Sequence, residues 1–282
     1  MGLRINTNIA SINAQRNNES RMDQVGQAYE RLSSGLRINK AADDAAGMAI
    51  ATKLDAKVRG LQQVKKNSMD GISMIQTAEG GLNETNNILI RLRELSVQSA
   101  SDTIGNTERE YLNLEYDSLV SEANRIALAT EFNGVNLLQG QGGNKDVGIL
   151  EFQVGTGNNQ EIDRFSFDPN NADARPSALK IEGTQVATKA EAQNAIGEID
   201  KAIVTVSGMR SRFGALQNRL SSTVRNISIS TENMSAAQSR IQDADIAAET
   251  SNLAKNTILA QSSSSVLAQA NQSGAMALKL IG

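Results

Sequence analysis

Asn256-Thr257-Ile258-Leu259-Ala260-Gln261-Ser262-Ser263-Ser264-Ser265-Val266-Leu267-Ala268-Gln269-Ala270-Asn271-Gln272-Ser273-Gly274-Ala275-Met276-Ala277-Leu278 runs for 23 residues without a charge. Eleven of the 23 are polar, whereas a membrane-spanning helix needs about 20 mostly apolar residues. A helix on the surface of an ordinary globular domain puts charges on its wet face, and this one has none to offer. Ile246, Leu253, Ala260 and Leu267 follow one another at intervals of seven. Small, uncharged, hydrogen-bonding residues around such a stripe suit a helix packed against protein on several sides. A monomer of 282 residues has too little material to cover that end alone. Other copies or a partner are expected to cover it.

Composition points the same way. Eight residues are aromatic, all Phe or Tyr, and two are proline. Ala, Ser, Asn, Gln, Leu and Ile dominate, the make-up of long helices packed side by side. The net charge of −3, with both signs interspersed, announces no basic surface for nucleic acid. There is no cysteine and no histidine, which removes disulfides, histidine-based triads and zinc sites of the His/Cys type. No cofactor is implied. The opening residues Met1 to Asn8 lack a basic segment followed by an apolar run, so no ordinary secretory signal peptide is read there.

Working outward, the helical period recurs through most of the chain. Ile5, Ile9 and Ile12 open a stripe that Met22, Val25, Tyr29 and Leu32 continue. Gly35 suits the left-handed position past its end. A second helix starts near Asp43-Asp44 and carries a stripe from Leu54 to Leu95 with a mean step of about 3.4 residues, the spacing of left-handed coiled-coil packing. Gly60, Gly71, Gly80 and Gly81 weigh against its continuity. A third helix holds Leu112, Tyr116, Leu119, Ala123 and Ile126 and stops before Asn133-Gly134. Val147 to Val154 and Glu161 to Phe167 read as a hairpin, with a further short strand at Leu179-Lys180-Ile181. From Lys189 the helical stripe returns, from Ala192 to Ile241, and the uncharged helix follows from Asp243.

The expected fold is mainly α: long antiparallel coiled-coil-like helices, paired N- and C-terminal helices, and a small β-hairpin region mid-chain. The expected parts are 1–42 and 239–282 as an inner-core helical domain, and 43–138, 139–187 and 188–238 as a rod domain.

Little in the chain suggests catalysis. Asp43-Asp44 reads as a helix cap, since adjacent carboxylates converge poorly on a cation. The Gly140 to Gly143 loop lacks the Lys-Ser/Thr of a phosphate cradle. Ser262 to Ser265 has no base beside it and reads as packing or interchain hydrogen bonding. Arg91-Leu92-Arg93-Glu94-Leu95 combines an apolar stripe with an outward charged face. An enzyme is not expected.

Glu30-Arg31-Leu32-Ser33-Ser34-Gly35-Leu36-Arg37-Ile38-Asn39, followed by Ala42-Asp43-Asp44-Ala45-Ala46-Gly47, resembles the most characteristic segment of bacterial flagellins. Leu92-Arg93-Glu94-Leu95-Ser96-Val97-Gln98, Phe132-Asn133-Gly134-Val135 and the closing Ser265-Val266-Leu267-Ala268-Gln269-Ala270-Asn271-Gln272 fit the same family. The resemblance spans about 1–140 and 190–282 and leaves no room for the bulky outer domains of larger flagellins.

The resemblance implies a subunit that self-assembles into the helical flagellar filament of swimming bacteria, its ends folding on polymerisation. It implies export without a cleaved leader through the type III apparatus, an export chaperone, and filament cap and hook–filament junction proteins as partners. It implies an extracellular location, with no nucleic acid bound and no membrane insertion. Inner-core assembly contacts are expected at Ile5, Ile9, Ile12, Leu253, Leu267, Leu278 and Leu280. A filament contact that is also the epitope of a vertebrate innate receptor is expected at Arg91, Leu92, Glu94, Leu95, Gln98 and Glu115. Ile90 departs from the family, where many relatives carry Gln, and the last eight residues are less leucine-rich than is familiar. A hook–filament junction protein of the same superfamily and a non-polymerising coiled-coil adaptor are the alternatives.

Overall fold

A computed structural model of the chain describes residues 7–140 and 149–279. Its elements run α1 (Ile9–Ser34), α2 (Ala45–Ser99), α3 (Asn106–Ala129), β1 (Glu131–Phe132), β2 (Val135–Asn136), β3 (Leu150–Gln153), α4 (Gln160–Asp163), β4 (Arg164–Phe167), α5 (Lys189–Gln242) and α6 (Ile246–Lys279). The fold is mainly helical, and its two sheets are both small antiparallel hairpins. The chain divides into two compact units, one from 1–58 with 232–282 and the other from 59–231.

The ends of these helices follow from local chemistry. Asn8 Oδ1 accepts the Ser11 N–H at 3.1 Å to open α1, and Gly35, left-handed at φ 71°, closes it with its N–H on the Arg31 carbonyl. Asp44 caps α2 by accepting the Gly47 N–H at 2.9 Å. Asp43 accepts the N–H groups of Asn39 and Lys40, and these bonds hold its carboxyl below the usual range. Asp245 caps α6 by accepting from Ala247 and Ala248. Each cap satisfies donors that the first turn would otherwise leave bare.

In the 59–231 unit the stripe of α2 becomes the core. Leu61, Val64, Ile75, Leu82, Leu89, Leu92 and Leu95 are buried. Ser68, Thr85 and Ser96, buried on the same side, donate to the carbonyls of Val64, Gly81 and Leu92 and so carry no unpaired hydroxyl. α2 is unbroken through its glycines, and at Gly81 the missing side chain serves a close contact. A Cβ on Gly81 would lie 2.5 Å from Thr130 Oγ1 and 2.8 Å from Leu138 Cδ1, so the missing side chain is what lets the loop after α3 approach. Gly71 also faces Leu220 and Phe152, but there a Cβ would lie at an ordinary contact distance of 3.4–3.6 Å.

Ile199, Val206, Phe213, Leu220 and Ile227 of α5 supply the facing layer. Phe167 meets Phe213 with ring centroids 5.6 Å apart. Arg93 Nε donates to Asp200 Oδ1 at 2.6 Å, tying α2 to α5.

Three features differ from the sequence expectation. Asn133 and Gly134 do more than follow a helix end: at φ 51° and 77° they form the two-residue turn of the β1–β2 hairpin, the pair that such a turn favours. Leu179 to Ile181 is not a strand. Lys180 is left-handed at φ 59°, and the Ile181 N–H turns back to the Pro176 carbonyl, although Leu179 and Ile181 are both buried. The expected central hairpin forms as β3 and β4, paired from Leu150↔Phe167 to Gln153↔Arg164, with α4 in its connection. Residues 147 and 148 of its first expected strand lie outside the described residues.

Candidate interaction surfaces

The pairing of the chain ends is antiparallel and largely polar. Asn8 Nδ2 donates to the Ala270 carbonyl at 2.8 Å, and Ser11 Oγ to Asn271 Oδ1 at 2.6 Å. Farther along, Ser264 reaches Asn18 at 3.5 Å and Arg31 stands 3.8 Å from Glu249. Beyond the helices the Ala244 N–H donates to the Gly35 carbonyl, while Arg37 gives its backbone N–H to Gln242 and its guanidinium to Ile241. On α1 the less exposed positions are Asn8, Ser11, Ala14, Asn18, Arg21, Val25, Ala28 and Leu32, at helical spacing. Small and polar residues, joined by Val25 and Leu32, therefore make this pairing face.

Several larger apolar residues lie elsewhere. Ile9 and Ile12 are each 56% exposed, so the isolated chain does not bury these two expected assembly contacts. Met22, Tyr29, Ile246, Ile258 and Val266 are exposed as well. Leu253 and Leu267 are half-buried, with Ala260 buried between them; Ile246, the first of that seven-residue series, falls outside the shielded stripe. Ile5 and Leu280 lie outside the described residues. Leu278 lies in α6, but its side chain is outside what is described.

Several hydroxyls of α6 are satisfied within the helix. Thr257, Ser263, Ser264 and Ser265 each donate to the carbonyl four residues back. These four hydroxyls present no bare donor to whatever packs on the helix. No helix among the described residues is long and apolar enough to cross a membrane.

The second surface is built by α2 and α3. Arg91 donates twice to Glu115 Oε1, at 3.0 and 2.7 Å, and once to Glu94 at 3.0 Å. Glu115 first, then Glu94, raises the affinity of Arg91 for its proton. Gln98 is exposed on the same helix. Leu92 and Leu95 are at 0% exposure in the core, which corrects their place in the expected surface: they hold α2 in position and have no area to offer. The outward group is Arg91, Glu94, Gln98 and Glu115.

Sequence reasoning passed over the turn that joins these helices. Arg109, buried on α3, donates from Nε to the Ser99 carbonyl and from Nη2 to the Ser101 carbonyl, both at 2.9 Å. Its Nη1 donates to Asn106. A guanidinium at the end of α2 meets carbonyls that have no partner within the helix and the negative end of its dipole. Nearby Lys189 pairs with Asp102 at 2.7 Å, lowering the affinity of that carboxyl for a proton. Lone basic residues in a charged helix give no sign in sequence of turning inward.

Fold and surfaces together define a helical protein whose two chain ends pair with each other and leave large apolar side chains outside. The model of the bacterial flagellin N-terminal helical region matches residues 5–142, and that of the C-terminal helical region residues 196–281. A flagellin of Halalkalibacterium halodurans is 43% identical over 277 residues, covering 98% of this chain and 99% of its own. A flagellar filament core protein of Brachyspira hyodysenteriae is 40% identical over 282 residues, again covering 98% and 99%. The crystal structure of Bacillus cereus flagellin matches 61% of this chain and 94% of its own with a TM-score of 0.51 at 28% identity. This chain belongs to the flagellin family.

Proposed function

We propose that this chain is a structural subunit that polymerises into the flagellar filament and serves swimming motility, and that its ends become stably ordered only in the polymer. The observation that carries the reading is the α1–α6 pair. Among the described residues of these helices the buried apolar side chains are alanines, Ala14, Ala28 and Ala260; Leu253, Leu259 and Leu267 are only half-buried, and Ile9, Ile12, Ile258 and Val266 remain exposed. Ordering a residue's backbone costs about 1–2 kcal/mol, and burying a large aliphatic side chain returns about 1.5–3 kcal/mol. The pair is therefore weakly supported until neighbouring copies cover its outer side.

Ile5, Ile9, Ile12, Leu253, Leu267, Leu278 and Leu280 are assembly contacts in this reading. Contacts of one copy on the next that do not close into a ring give an open helix. The filament reading implies an extracellular product, exported before its ends fold through the type III apparatus with a chaperone, and meeting cap and junction proteins as it assembles. On the free subunit Arg91, Glu94, Gln98 and Glu115 would be what an innate receptor meets.

The test is seeded polymerisation of purified chain, followed by electron microscopy and far-UV circular dichroism. Filaments with a gain in helicity are expected. A fully helical chain that stays monomeric with seeds and precipitant would overturn the reading.

A further inference from the structure

From Lys201 to Thr231 the chain holds five cations, Lys201, Arg210, Arg212, Arg219 and Arg225, and no Asp or Glu, although the whole carries a net charge of −3. Lys201 is committed to Glu198 on its own helix, 2.8 Å away. Arg212, Arg219 and Arg225 are exposed and have no carboxylate partner among the described residues. Arg219 lies 4.9 Å over the Phe165 ring and Arg225 donates to Ser222. Around Arg212 and Arg219 the outward face of α5 carries Gly208, Ser211, Ala215, Asn218 and Ser222, all exposed and small or short, with exposed Val204 one turn before them.

α3 has the opposite character. Glu115 and Glu122 are taken by Arg91 and Arg125, but Glu110 and Asp117 are exposed and have no cation among the described residues. Beside them Tyr111 and Leu114 are 67% and 65% exposed, large side chains left mostly uncovered in the isolated chain.

The two faces match in charge, relief and spacing. Glu110 and Asp117 are seven residues apart, and so are Arg212 and Arg219. Seven residues of helix advance about 10.5 Å, so both charge pairs can form in one register. Projecting Tyr111 and Leu114 would meet a row of short side chains. We propose that the Arg212–Arg219 face of α5 in one copy docks on the Glu110–Asp117 face of α3 in a second copy. Each copy keeps one free face of either kind, so the contact propagates. This rests on the filament reading and names a contact within it.

Charge swapping tests it. One variant carries Arg212→Glu with Arg219→Glu, a second Glu110→Arg with Asp117→Arg, and a third all four changes. Seeded elongation of each is compared with the unaltered chain, with thermal melts confirming folded protein. Like charges facing each other oppose docking, so each two-site variant is expected to elongate more slowly by on the order of tenfold. The four-site variant and an equimolar mixture of the two-site variants are expected to return to within a few-fold of the unaltered rate. Two-site variants that elongate normally, or folded variants that the complementary change does not rescue, would overturn the docking while leaving the filament reading intact. An unaltered chain that fails to elongate on seeds would overturn both.

Discussion

The two units of this chain use one kind of element, the long helix, in opposite ways. In the 59–231 unit the apolar stripes face each other. Leu82, Leu89, Leu92 and Leu95 are closed off against partners within the same chain, and the hydroxyls among them are paired. In the terminal unit the faces that meet mix asparagine, serine and alanine with half-buried Val25, Leu32, Leu253 and Leu267, while Ile9, Ile12, Ile258 and Val266 look outward. The helical period is the same in both. What differs is where the free energy of burial is gained: inside one molecule for the first, between molecules for the second. Periodicity thus fixes that a helix has an apolar face and leaves open whose surface will cover it.

Four changes would sharpen that contrast. Leu92→Ala, in the closed core, should cost about 3–4 kcal/mol through lost transfer energy and the cavity left behind, seen as a lower urea midpoint of the monomer. A loss under about 1 kcal/mol would mean that the core is loosely packed. Arg109→Ala should cost about 2–3 kcal/mol, because two end carbonyls of the α2 turn lose charge-assisted bonds; Lys at this position should restore only part of it.

Tyr116→Phe should cost about 1 kcal/mol by removing the 2.6 Å bond to Thr184. Burial raises the pKa of the Tyr116 phenol above its ordinary value. Its contribution is therefore complete below the unfolded chain's pKa of about 10 and is lost as pH rises toward the folded value. Alkaline melts of the Phe variant should fall less steeply than those of the unaltered chain. Smallest in the monomer, Ile12→Ser should change stability by less than about 0.5 kcal/mol yet slow seeded assembly severely. A large monomer effect would erase the distinction between the two units.

How much of this was legible in the sequence follows from how locally each feature is determined. The stripe from Leu54 to Leu95 needed only periodicity, and the caps at Gly35 and Asp44 needed only one residue's backbone chemistry. The pairing of chain ends was also readable, since helical patterns open and close the chain. The face used for it was not. Asn8, Ser11 and Asn18 look like solvent residues until Ala270, Asn271 and Ser264 stand opposite them.

Leu179-Lys180-Ile181 alternates like a strand, but its two apolar side chains are buried by a turn whose middle residue is left-handed. Alternation over three residues cannot separate these cases. The β1–β2 hairpin had its signal in Asn133-Gly134, overlooked because strands of two residues carry no pattern of their own. For the charged surface, periodicity already sets an apolar stripe beside an outward charged face, and it is the family resemblance that groups Leu92 and Leu95 with Arg91 and Glu94. A helix turns about 100° per residue, so Leu92 and Leu95 reach the core while Arg91 and Glu94 stay outside.

The most direct measurement is amide hydrogen exchange, followed by mass spectrometry, on monomer and on filament. The account predicts that amides of α1 and α6 in the monomer exchange at least about a hundredfold faster than those of α2 between Leu82 and Leu95, and that assembly closes the gap. Terminal helices as protected in the monomer as the 59–231 core would contradict it.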